Sequence, residues 1–329
     1  MSGIVMSSRV RLARNYDDLP FRGRITAAQS EECVRRTLDA LRELPEAYTF
    51  LPLRGMKEYE KKALAEAHLI SPDLIEHGET GAALIRGDEK ISVMINEEDH
   101  LRIQAFAAGD ALQEAAESAF SIEDALQKRL SFAFDSQLGY LTACPTNAGT
   151  GLRASVMLHL PMLTLFKQMG KVNQLAAKLG LSHRGVYGEG SEAQGNLYLL
   201  SNQVTLGRTE QEIMGAVAAV ARQMAEMERV FRERAWEKDP IVFEDQIFRA
   251  YGLLCNARRM NDKEFMVHWS NLRLGAAMGK LPVSGEACDA LLTAAQSAQV
   301  QKAAGSELAQ KDLDVYRSRI IREAINGGK

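Results

Sequence analysis

The chain has 329 residues, 46% of them hydrophobic and 25% charged, and this composition is typical of a globular protein with about two domains. Its net charge of -3, reached with 26 arginines and 14 lysines, argues against a nucleic-acid-binding surface as its main function. Arginines lie close to its start and no run of about 18 apolar residues occurs, so we expect a cytoplasmic protein with no signal peptide and no membrane or nucleic-acid partner.

The first third of the chain predicts helices and a hairpin. Thr26 and Gln29 have the spacing of a capping box, which predicts a helix that ends before Pro45. A second helix is predicted over 56–68. Two short apolar runs within 82–95, separated by a turn, predict a β-hairpin. The acidic stretch that follows should therefore begin just past the end of a strand.

The middle of the chain alternates strand and helix signals. Ser121 to Asp124 predicts the cap of another helix. Residues 140–143 and 154–160 are predicted as strands on either side of a glycine-rich segment. A helix is predicted over 163–179, with Gly180 as its stop, and a strand over 196–201.

The last part of the chain predicts helices alone. Thr209 and Glu212 form a second capping box, and the helix that they open is predicted to reach about Trp236. From Asp239 onward strand signals are scarce, which predicts a bundle of four or five helices. We therefore expect a mixed α+β domain over 1–235 and an all-helical domain over 236–329.

Arginines beside other functional groups predict a phosphate-binding site. Arg9 and Arg11 alternate in an extended segment, so both side chains can point to one phosphate chain; a solvated strand edge is the alternative. Arg102 follows three acidic residues, Glu97, Glu98 and Asp99, one of which is a candidate general base. An ordinary acidic surface turn is the alternative there.

Two glycine-containing segments carry further candidates. Between Cys144 and Arg153, small and polar residues are expected to leave backbone amides free for an anion, and positive neighbours to give Cys144 thiolate character. A buried cysteine before a tight turn is the alternative. Residues 188–193 have a dinucleotide-like glycine pattern, but the residues before them, 182–185, are not an apolar strand, so they predict a glycine-hinged loop over a ligand. Forks of arginine beside carboxylates and a thiol indicate phosphoryl transfer.

Five segments in this order resemble the catalytic domain of the phosphagen (guanidino) kinases over roughly 4–235: SSRVRLARN, INEEDHLRI, CPTNAGTGLRASV, RGVYGEGSEAQG and SNQVTLG. The tyrosine-bearing loop, a helical C-terminal domain and the missing N-terminal helical domain make the chain most similar to the bacterial protein-arginine kinases. The resemblance implies an antiparallel sheet flanked by helices. It also implies transfer of the γ-phosphoryl group of ATP to arginine side chains of proteins.

The resemblance assigns roles by motif position. It implies that Glu98 is the base, that Glu189 holds the acceptor guanidinium in line, and that Cys144 lies against it. Mg²⁺ is expected to bridge phosphate oxygens without a dedicated set of protein ligands. The residues implied at the nucleotide are Ser7, Ser8, Arg9, Val10, Arg11, His68, Arg102, Arg153, Ala154, Ser155, Val156, Met157, Arg184, Gly185, Val186, Tyr187 and Gly188.

The C-terminal region departs from the family at one motif. The resemblance implies a regulatory phosphoarginine pocket there, of which Asp314 and Arg317 remain as candidates. Leu313 replaces the first arginine of that motif and Ser318 its last alanine. Because the lost arginine removes a phosphate-binding fork, we expect the pocket to be weak or absent.

The resemblance also implies partners. Proteins with accessible arginines are the expected substrates, and an AAA+ protease that degrades the marked proteins, an activator subunit and a second copy of the chain are the expected partners, within a stress response. Two alternatives stay open. One is a kinase of free arginine or another small guanidine, and the other is a catalytically silent adaptor that binds phosphoarginine or client proteins.

Overall fold

The computed structural model describes residues 3–42, 44–186 and 193–327, and these residues form one large antiparallel sheet with helices on both faces. A two-stranded ribbon, β6 and β7, stands apart from it. The strands are β1 (Val5–Arg14), β2 (Tyr48–Pro52), β3 (Ala82–Arg86), β4 (Ile91–Ile95), β5 (Leu101–Ala108), β6 (Phe134–Asp135), β7 (Gly139–Tyr140), β8 (Leu152–His159), β9 (Leu181–Gly185) and β10 (Leu197–Asn202). The order across the sheet is β2-β3-β4-β5-β1-β8-β10-β9.

The described residues also form twelve α-helices, seven before residue 239 and five after it. They are α1 (Ala27–Leu41), α2 (Glu58–Glu66), α3 (Pro72–Glu76), α4 (Leu112–Gln127), α5 (Pro161–Leu165), α6 (Met169–Lys178), α7 (Glu210–Lys238), α8 (Pro240–Asn256), α9 (Asp262–Ala277), α10 (Gly285–Ala294), α11 (Ser297–Ala304) and α12 (Gln310–Asn326). Within the described ranges, no helix has both the length and the apolar character that crossing a membrane requires.

Strand β1 lies at the centre of the sheet and gives its two faces different characters. Ser8, Val10 and Leu12 are fully buried, whereas the residues between them are partly exposed. Val10 and Leu12 belong to an apolar core that the sheet forms with α4 and α7. Burial of each such side chain stabilises the fold by roughly 1.5–3 kcal/mol. The other face of β1 is left for polar side chains.

The helices after residue 239 form a second apolar core around Trp269, whose indole Nε1 donates to the Cys288 carbonyl at 2.7 Å. This helical layer contacts the N-terminal part of the chain where its helix α11 packs against α2. The carboxylate of Glu66, at the end of α2, accepts from the backbone N–H groups of Ala298 and Gln299 at 3.0 and 2.9 Å. Glu66 thus caps the first turn of α11 from the outside.

Helices α7 and α8 are joined by a single residue, Asp239. Its N–H donates to the Ala235 carbonyl at the end of α7, and its Oδ1 accepts from the N–H of Val242 in α8 at 3.3 Å. Pro240 occupies the first position of α8, where its missing N–H costs nothing. The joint therefore contains no flexible linker.

Most of the predicted elements are confirmed. Both capping boxes are present, at Thr26 and Thr209, and the hairpin pairs β3 with β4 so that Ala82 lies opposite Ile95. The predicted bundle after Asp239 contains five helices in the described residues. The α+β class and the flanked antiparallel sheet are as expected.

Three predictions of local structure are wrong. Ser121 does not cap a helix, because α4 already begins at Leu112 and the Ser121 hydroxyl donates to the Ser118 carbonyl within it. The helix predicted over 163–179 is two helices, broken where Lys167 adopts a left-handed φ of 53°. Of the strand predicted over 140–143, only its first residue belongs to a strand.

Candidate active site

Five arginines from four strands lie on the polar face of the sheet. In an antiparallel sheet, residues directly opposite each other share a face, and Arg11 lies opposite both Gln104 and Arg153. Alternation along β1 and β5 adds Arg9 and Arg102 to this face. Ladder pairs from β8 through β10 to β9 add the fifth arginine, Arg184.

A cavity of about 640 Å³ lies between this face and the helices α2 and α10. Of the residues predicted at the nucleotide, the structure places nine on its wall and leaves Arg102 and Arg153 off it. The nine are Ser7, Arg9, Arg11, His68, Ser155, Met157, Arg184, Gly185 and Val186. The cavity therefore collects residues that lie more than 170 positions apart in the chain.

The arginines of this face are electrostatically crowded. Burial, together with the charges of Arg9, Arg102 and Arg153, lowers the pKa of Arg11 well below its usual value. Burial and the charges of Arg184 and Arg102 likewise lower the pKa of Arg153. The buried Nε atoms of Arg11 and Arg153 have no hydrogen-bond partner among the described residues. Crowded positive charge with unpartnered donors fits a polyanionic ligand with several oxygens.

His68 lies beside these arginines, just after α2. Its φ of 60° is in the left-handed region, which costs a residue with a side chain of the order of 1 kcal/mol. The side chain of Gln104 fixes the segment by donating to the His68 carbonyl at 2.8 Å. Burial and the charge of Arg9 lower the pKa of His68 to about 4, so the imidazole is neutral at physiological pH and adds no further charge.

The turn between β4 and β5 carries the predicted base. Glu97 is fully buried, pairs with Arg102 and accepts from the Ser71 hydroxyl at 2.5 Å. Glu98 is 38% exposed, and its Oε2 lies 3.5 Å from Arg102 and 3.4 Å from the Asn147 side chain. Burial and then the charge of Asp99 raise the pKa of Glu98. A carboxylate with a raised pKa accepts a proton more readily.

Asp99 connects this turn to the segment of Cys144. Its Oδ1 accepts from the Asn15 side chain at 2.6 Å and from the backbone N–H of Ala143 at 2.7 Å. Because Ala143 directly precedes Cys144, the buried carboxylate holds the cysteine segment beside Glu98. The Cys144 thiol is partly exposed and lies 3.0 Å from the hydroxyl of Thr146. Asn15 and Asn147 lie in two of the segments that carry the family resemblance, but no role was predicted for either side chain.

Four of the backbone amides that were predicted to be free after Cys144 are bonded within the protein. The N–H groups of residues 147–150 donate in turn to the carbonyls of Cys144, Pro145, Tyr140 and Thr205. Gly149 has a φ of 103°, and a Cβ there would lie 2.6 Å from the Thr205 oxygen, so the turn requires glycine. The segment is therefore a closed turn that positions Cys144 and Arg153, with no open amide cradle at those four residues.

Besides Arg102 and Arg153, four more residues predicted at the nucleotide do not reach the cavity. The side chains of Ser8, Val10, Ala154 and Val156 are buried on the opposite face, because they alternate with the cavity residues of the same strands. The Ser8 hydroxyl donates to the Gly109 carbonyl at 2.8 Å and accepts from the Ala111 N–H, so it fixes the start of α4. Tyr187, Gly188 and the second catalytic candidate, Glu189, lie outside the described residues.

The C-terminal candidates do not form an open anion pocket. Arg317 is fully buried and donates to the carbonyls of Ala295 and Met260, the Ser297 hydroxyl and the Asp314 carboxylate. Asp314 is also buried and pairs with Arg259 at 3.2 Å. The fork that the motif would offer to phosphate is occupied inside the protein by these contacts.

Two family profiles match the chain, and together they span most of it. The ATP:guanido phosphotransferase C-terminal catalytic domain matches residues 29–231, and the protein-arginine kinase McsB C-terminal domain matches residues 240–328. The chain belongs to the protein-arginine kinase family. This confirms the resemblance and the class of enzyme, a phosphotransferase.

Curated relatives agree over nearly their whole length. Protein-arginine kinases of Caldanaerobacter subterraneus subsp. tengcongensis, Symbiobacterium thermophilum and Brevibacillus brevis are 41%, 44% and 45% identical to this chain. Each alignment covers 98% of this chain, and 97%, 93% and 92% of the respective relative.

Solved structures confirm the fold. A duplicated taurocyamine kinase from Schistosoma mansoni with bound transition state analog components has a TM-score of 0.62 and 31% identity over 68% of this chain. This chain spans 33% of the length of that duplicated enzyme. A lombricine kinase has a TM-score of 0.60 and 25% identity, and the match covers 70% of this chain and 67% of the other.

Proposed function

We propose that this protein transfers the γ-phosphoryl group of ATP to arginine side chains of other proteins. The observation that carries the proposal is the convergence of five arginines, two with unpartnered buried Nε atoms, beside a carboxylate whose pKa is raised. The named activity of the curated relatives over 98% of this chain supports the choice of acceptor.

The cavity residues fit a nucleoside triphosphate. Arg9, Arg11 and Arg184 line the cavity, and the guanidinium groups of Arg102 and Arg153 act on the same region through their charges. Such forks bind phosphate oxygens and stabilise the negative charge that spreads over them in the transition state. Among the described residues, no group of three or more His, Cys, Asp or Glu side chains is arranged to hold a metal. Mg²⁺ would therefore be held mainly by the phosphate oxygens and water, and would neutralise charge there.

The acceptor chemistry requires a base, because a guanidinium keeps its proton at neutral pH and is then a poor nucleophile. Glu98 accepts that proton in the proposed mechanism, and its contact with Arg102 keeps it beside the phosphate-binding groups. Cys144, held next to it through Asp99 and Ala143, would lie against the acceptor. Glu189 remains the proposed second clamp on the guanidinium.

Several finer roles belong to the same proposal. We infer a cytoplasmic enzyme of a stress response that marks proteins for an AAA+ protease, with an activator subunit as a further partner. A homodimer is supported by an apolar stripe on α8, where Ile241 and Phe248, seven positions apart, are exposed to 70% and 51%. Monomeric proteins rarely expose such stripes without a partner. The double variant Ile241→Glu, Phe248→Glu should be monomeric in sedimentation experiments.

The direct test supplies ATP, Mg²⁺ and an unfolded arginine-rich protein, and maps phosphorylated residues by mass spectrometry at neutral pH. Phosphoarginine in the protein is the expected product. Phosphorylation of free arginine with the protein left unmodified would instead support the small-guanidine alternative. ATP binding without any phosphoryl transfer would support the silent adaptor.

The base assignment has its own test, the change Glu98→Gln. Removal of a general base should lower turnover by about 10²- to 10⁴-fold, while the affinity for ATP stays within about twofold. Glu79→Gln, a change at an exposed carboxylate outside the cavity, is the matched control. Turnover of Glu98→Gln at the parental rate would show that another group takes the proton.

A further inference from the structure

The cavity is not built by the sheet and its neighbours alone. Three residues of α10, in the helical layer, line it together with the arginines: Asp289, Leu292 and Thr293. They lie at least 90 positions after the last cavity residue of the sheet, Leu199. The helical layer therefore forms one wall of the proposed nucleotide site.

The position of Asp289 is fixed by a chain of contacts to the start of β1. Its carboxylate pairs with Arg273, with Nε–Oδ1 and Nη2–Oδ2 distances of 2.6 and 3.2 Å. The buried Arg273 also donates through Nη1 to the Gly3 carbonyl at 2.6 Å, just before β1 begins. Asp289 therefore lies toward the N-terminal end of β1.

The predicted base lies toward the other end of the same strand. Ala13 of β1 is paired with Arg102, which contacts Glu98. Between Ala13 and Ser7, six residues of strand span about 20 Å. Along this length β1 carries Arg11, Arg9 and then Ser7, with α10 beyond. Arg184 lies level with Ser7 but three strands away, on β9. A nucleotide whose phosphates lie on the arginines, with its γ-phosphate toward Glu98, must extend its nucleoside toward α10.

The wall near that end suits a nucleoside and does not suit phosphate. Its apolar members include Met6, Met157 and Val186 from the sheet side and Leu292 from α10. The negative charge of Asp289 repels phosphates but accepts hydrogen bonds from hydroxyl or amino groups. Arg273 takes one acceptor position on each oxygen of the Asp289 carboxylate. The Asp289 side chain is 33% exposed, so its remaining lone pairs can accept a hydrogen bond from a ligand.

We propose that Asp289 binds the nucleoside part of ATP by accepting a hydrogen bond from a ribose hydroxyl or from the exocyclic amine of the base. Thr293 lies one helical turn further along α10 and lines the same cavity, so it contributes a second polar contact. Arg273 is the positioning residue that aims the carboxylate. This inference rests on the proposed function only for the identity of the nucleotide, and it makes the helical layer part of the nucleotide site.

The test measures binding by isothermal titration calorimetry, without any phosphoryl acceptor. The parental protein is titrated with ATP, 2′-deoxy-ATP, 3′-deoxy-ATP and inosine triphosphate, each with Mg²⁺. We expect one of the three analogues to bind about tenfold more weakly than ATP, because it lacks the donor that Asp289 accepts. A weaker deoxy analogue identifies a ribose hydroxyl, and a weaker inosine triphosphate identifies the amine. Equal affinities for all four would overturn the inference.

Variants connect the preference to α10. In Asp289→Ala the preference for ATP over the weak analogue should disappear, whereas Glu286→Gln, which removes an exposed carboxylate of the same helix outside the cavity, should retain it. Because Asp289→Ala leaves the buried Arg273 unpaired, Thr293→Val provides a second variant that keeps this ion pair. It should weaken ATP binding about threefold, and unchanged affinity there would contradict the second polar contact.

The outcomes separate this inference from the proposed function. Failure to phosphorylate arginine, together with a tenfold preference for ATP in titration, would remove the proposed acceptor and leave the nucleoside contact in place. Normal phosphorylation of arginine, together with equal binding of all four nucleotides, would support the proposed function and overturn the nucleoside contact.

Discussion

Arginine serves two different purposes in this molecule, as Arg317 and Arg11 illustrate. The guanidinium of Arg317 is buried and fully occupied by two carbonyls, a hydroxyl and a carboxylate of the same chain. Arg11 lies among three other arginines, its pKa is lowered by burial and their charges, and its buried Nε has no partner in the described part of the chain. The donors of Arg317 are used within the protein, whereas among the described residues Arg11 keeps a donor that an anion can accept.

The difference teaches how a binding site can be distinguished from a structural one. Both arginines lie in motifs that the family resemblance associates with phosphate, so residue type and motif do not separate them. What separates them is whether the donors are satisfied within the protein, since a buried donor without a partner costs about 1–3 kcal/mol. That cost remains at Arg11 until a ligand supplies acceptors.

The largest expected effect is on turnover, in Arg11→Met. Loss of a fork on the phosphates should lower turnover by about 10³-fold or more. Because a crowded charge is removed, the free energy of unfolding without nucleotide should rise by about 1 kcal/mol. Steady-state kinetics and urea denaturation measure the two effects. The exposed Arg54→Met is the control, and a destabilised Arg11→Met would show that Arg11 is structural.

The next effect is on stability, in Arg317→Met. Removing one partner of a buried ion pair and leaving several acceptors unsatisfied should lower the free energy of unfolding by about 3–5 kcal/mol. Arg319→Met, two positions along α12 at a 54% exposed side chain, should change it by less than about 0.5 kcal/mol. Urea denaturation compares the two variants. Equal stabilities would mean that the contacts of Arg317 contribute little.

A smaller effect should follow when acceptors are added from outside. Tripolyphosphate at about 100 times its dissociation constant should stabilise the parental protein by about 2.7 kcal/mol. Thermal unfolding followed with and without the anion measures this difference. In Arg153→Met the gain should be much smaller, because one fork with an unpartnered Nε is gone. An equal gain in both proteins would place the anion elsewhere.

The smallest effect is on the pH dependence of stability, through the buried and uncharged imidazole of His159. Burial and the charges of Arg232 and Arg273 lower the pKa of His159 well below its usual value, and its Nε2 is hydrogen-bonded to the Ser270 hydroxyl at 2.8 Å. Below about pH 6.5 the unfolded chain binds a proton there and the folded chain does not, so stability falls as the pH falls, by up to about 1.4 kcal/mol per pH unit.

Urea denaturation between pH 5 and 7 tests this pH dependence. The variant His159→Gln should show a shallower loss of stability toward acid than the parental protein. A residual slope is expected, because burial also lowers the pKa of His68 and His183, each to about 4. An unchanged slope in the variant would mean that His159 gains no proton on unfolding in this range.

Local patterns in the sequence were sufficient for much of the fold. The capping boxes at Thr26 and Thr209 and the hairpin over 82–95 depend on contacts within a few residues, and all three are confirmed. The break at Lys167 was missed because a residue with a side chain takes the left-handed position where glycine is usual. Ser121 was misread because serine is also a common helix cap, although here it lies inside α4. Strand β5 was missed although Leu101, Ile103 and Ala105 alternate with Arg102 and Gln104, which is the pattern of a strand with one polar face.

For the site, alternation predicted the shared direction of Arg9 and Arg11, and the structure places both on the cavity wall. The same alternation excludes Val10 and Val156, which the resemblance included because it follows contiguous motifs. The wall provided by α10 has no signature in the sequence, because Asp289 and Leu292 lie in an ordinary amphipathic helix. Only the folded arrangement reveals that they reach the arginines.

The single-residue joint at Asp239 limits how this enzyme can move. A helical layer joined by a long linker could move away from the sheet to admit a nucleotide. The joint at Asp239 is instead hydrogen-bonded to both helices, which makes it rigid. Any widening of the cleft between the arginine face and α10 must therefore tilt α7 together with α8. Because α7 is 29 residues long and packs against β8 and β10, such a tilt would also shift the contacts between α7 and the sheet.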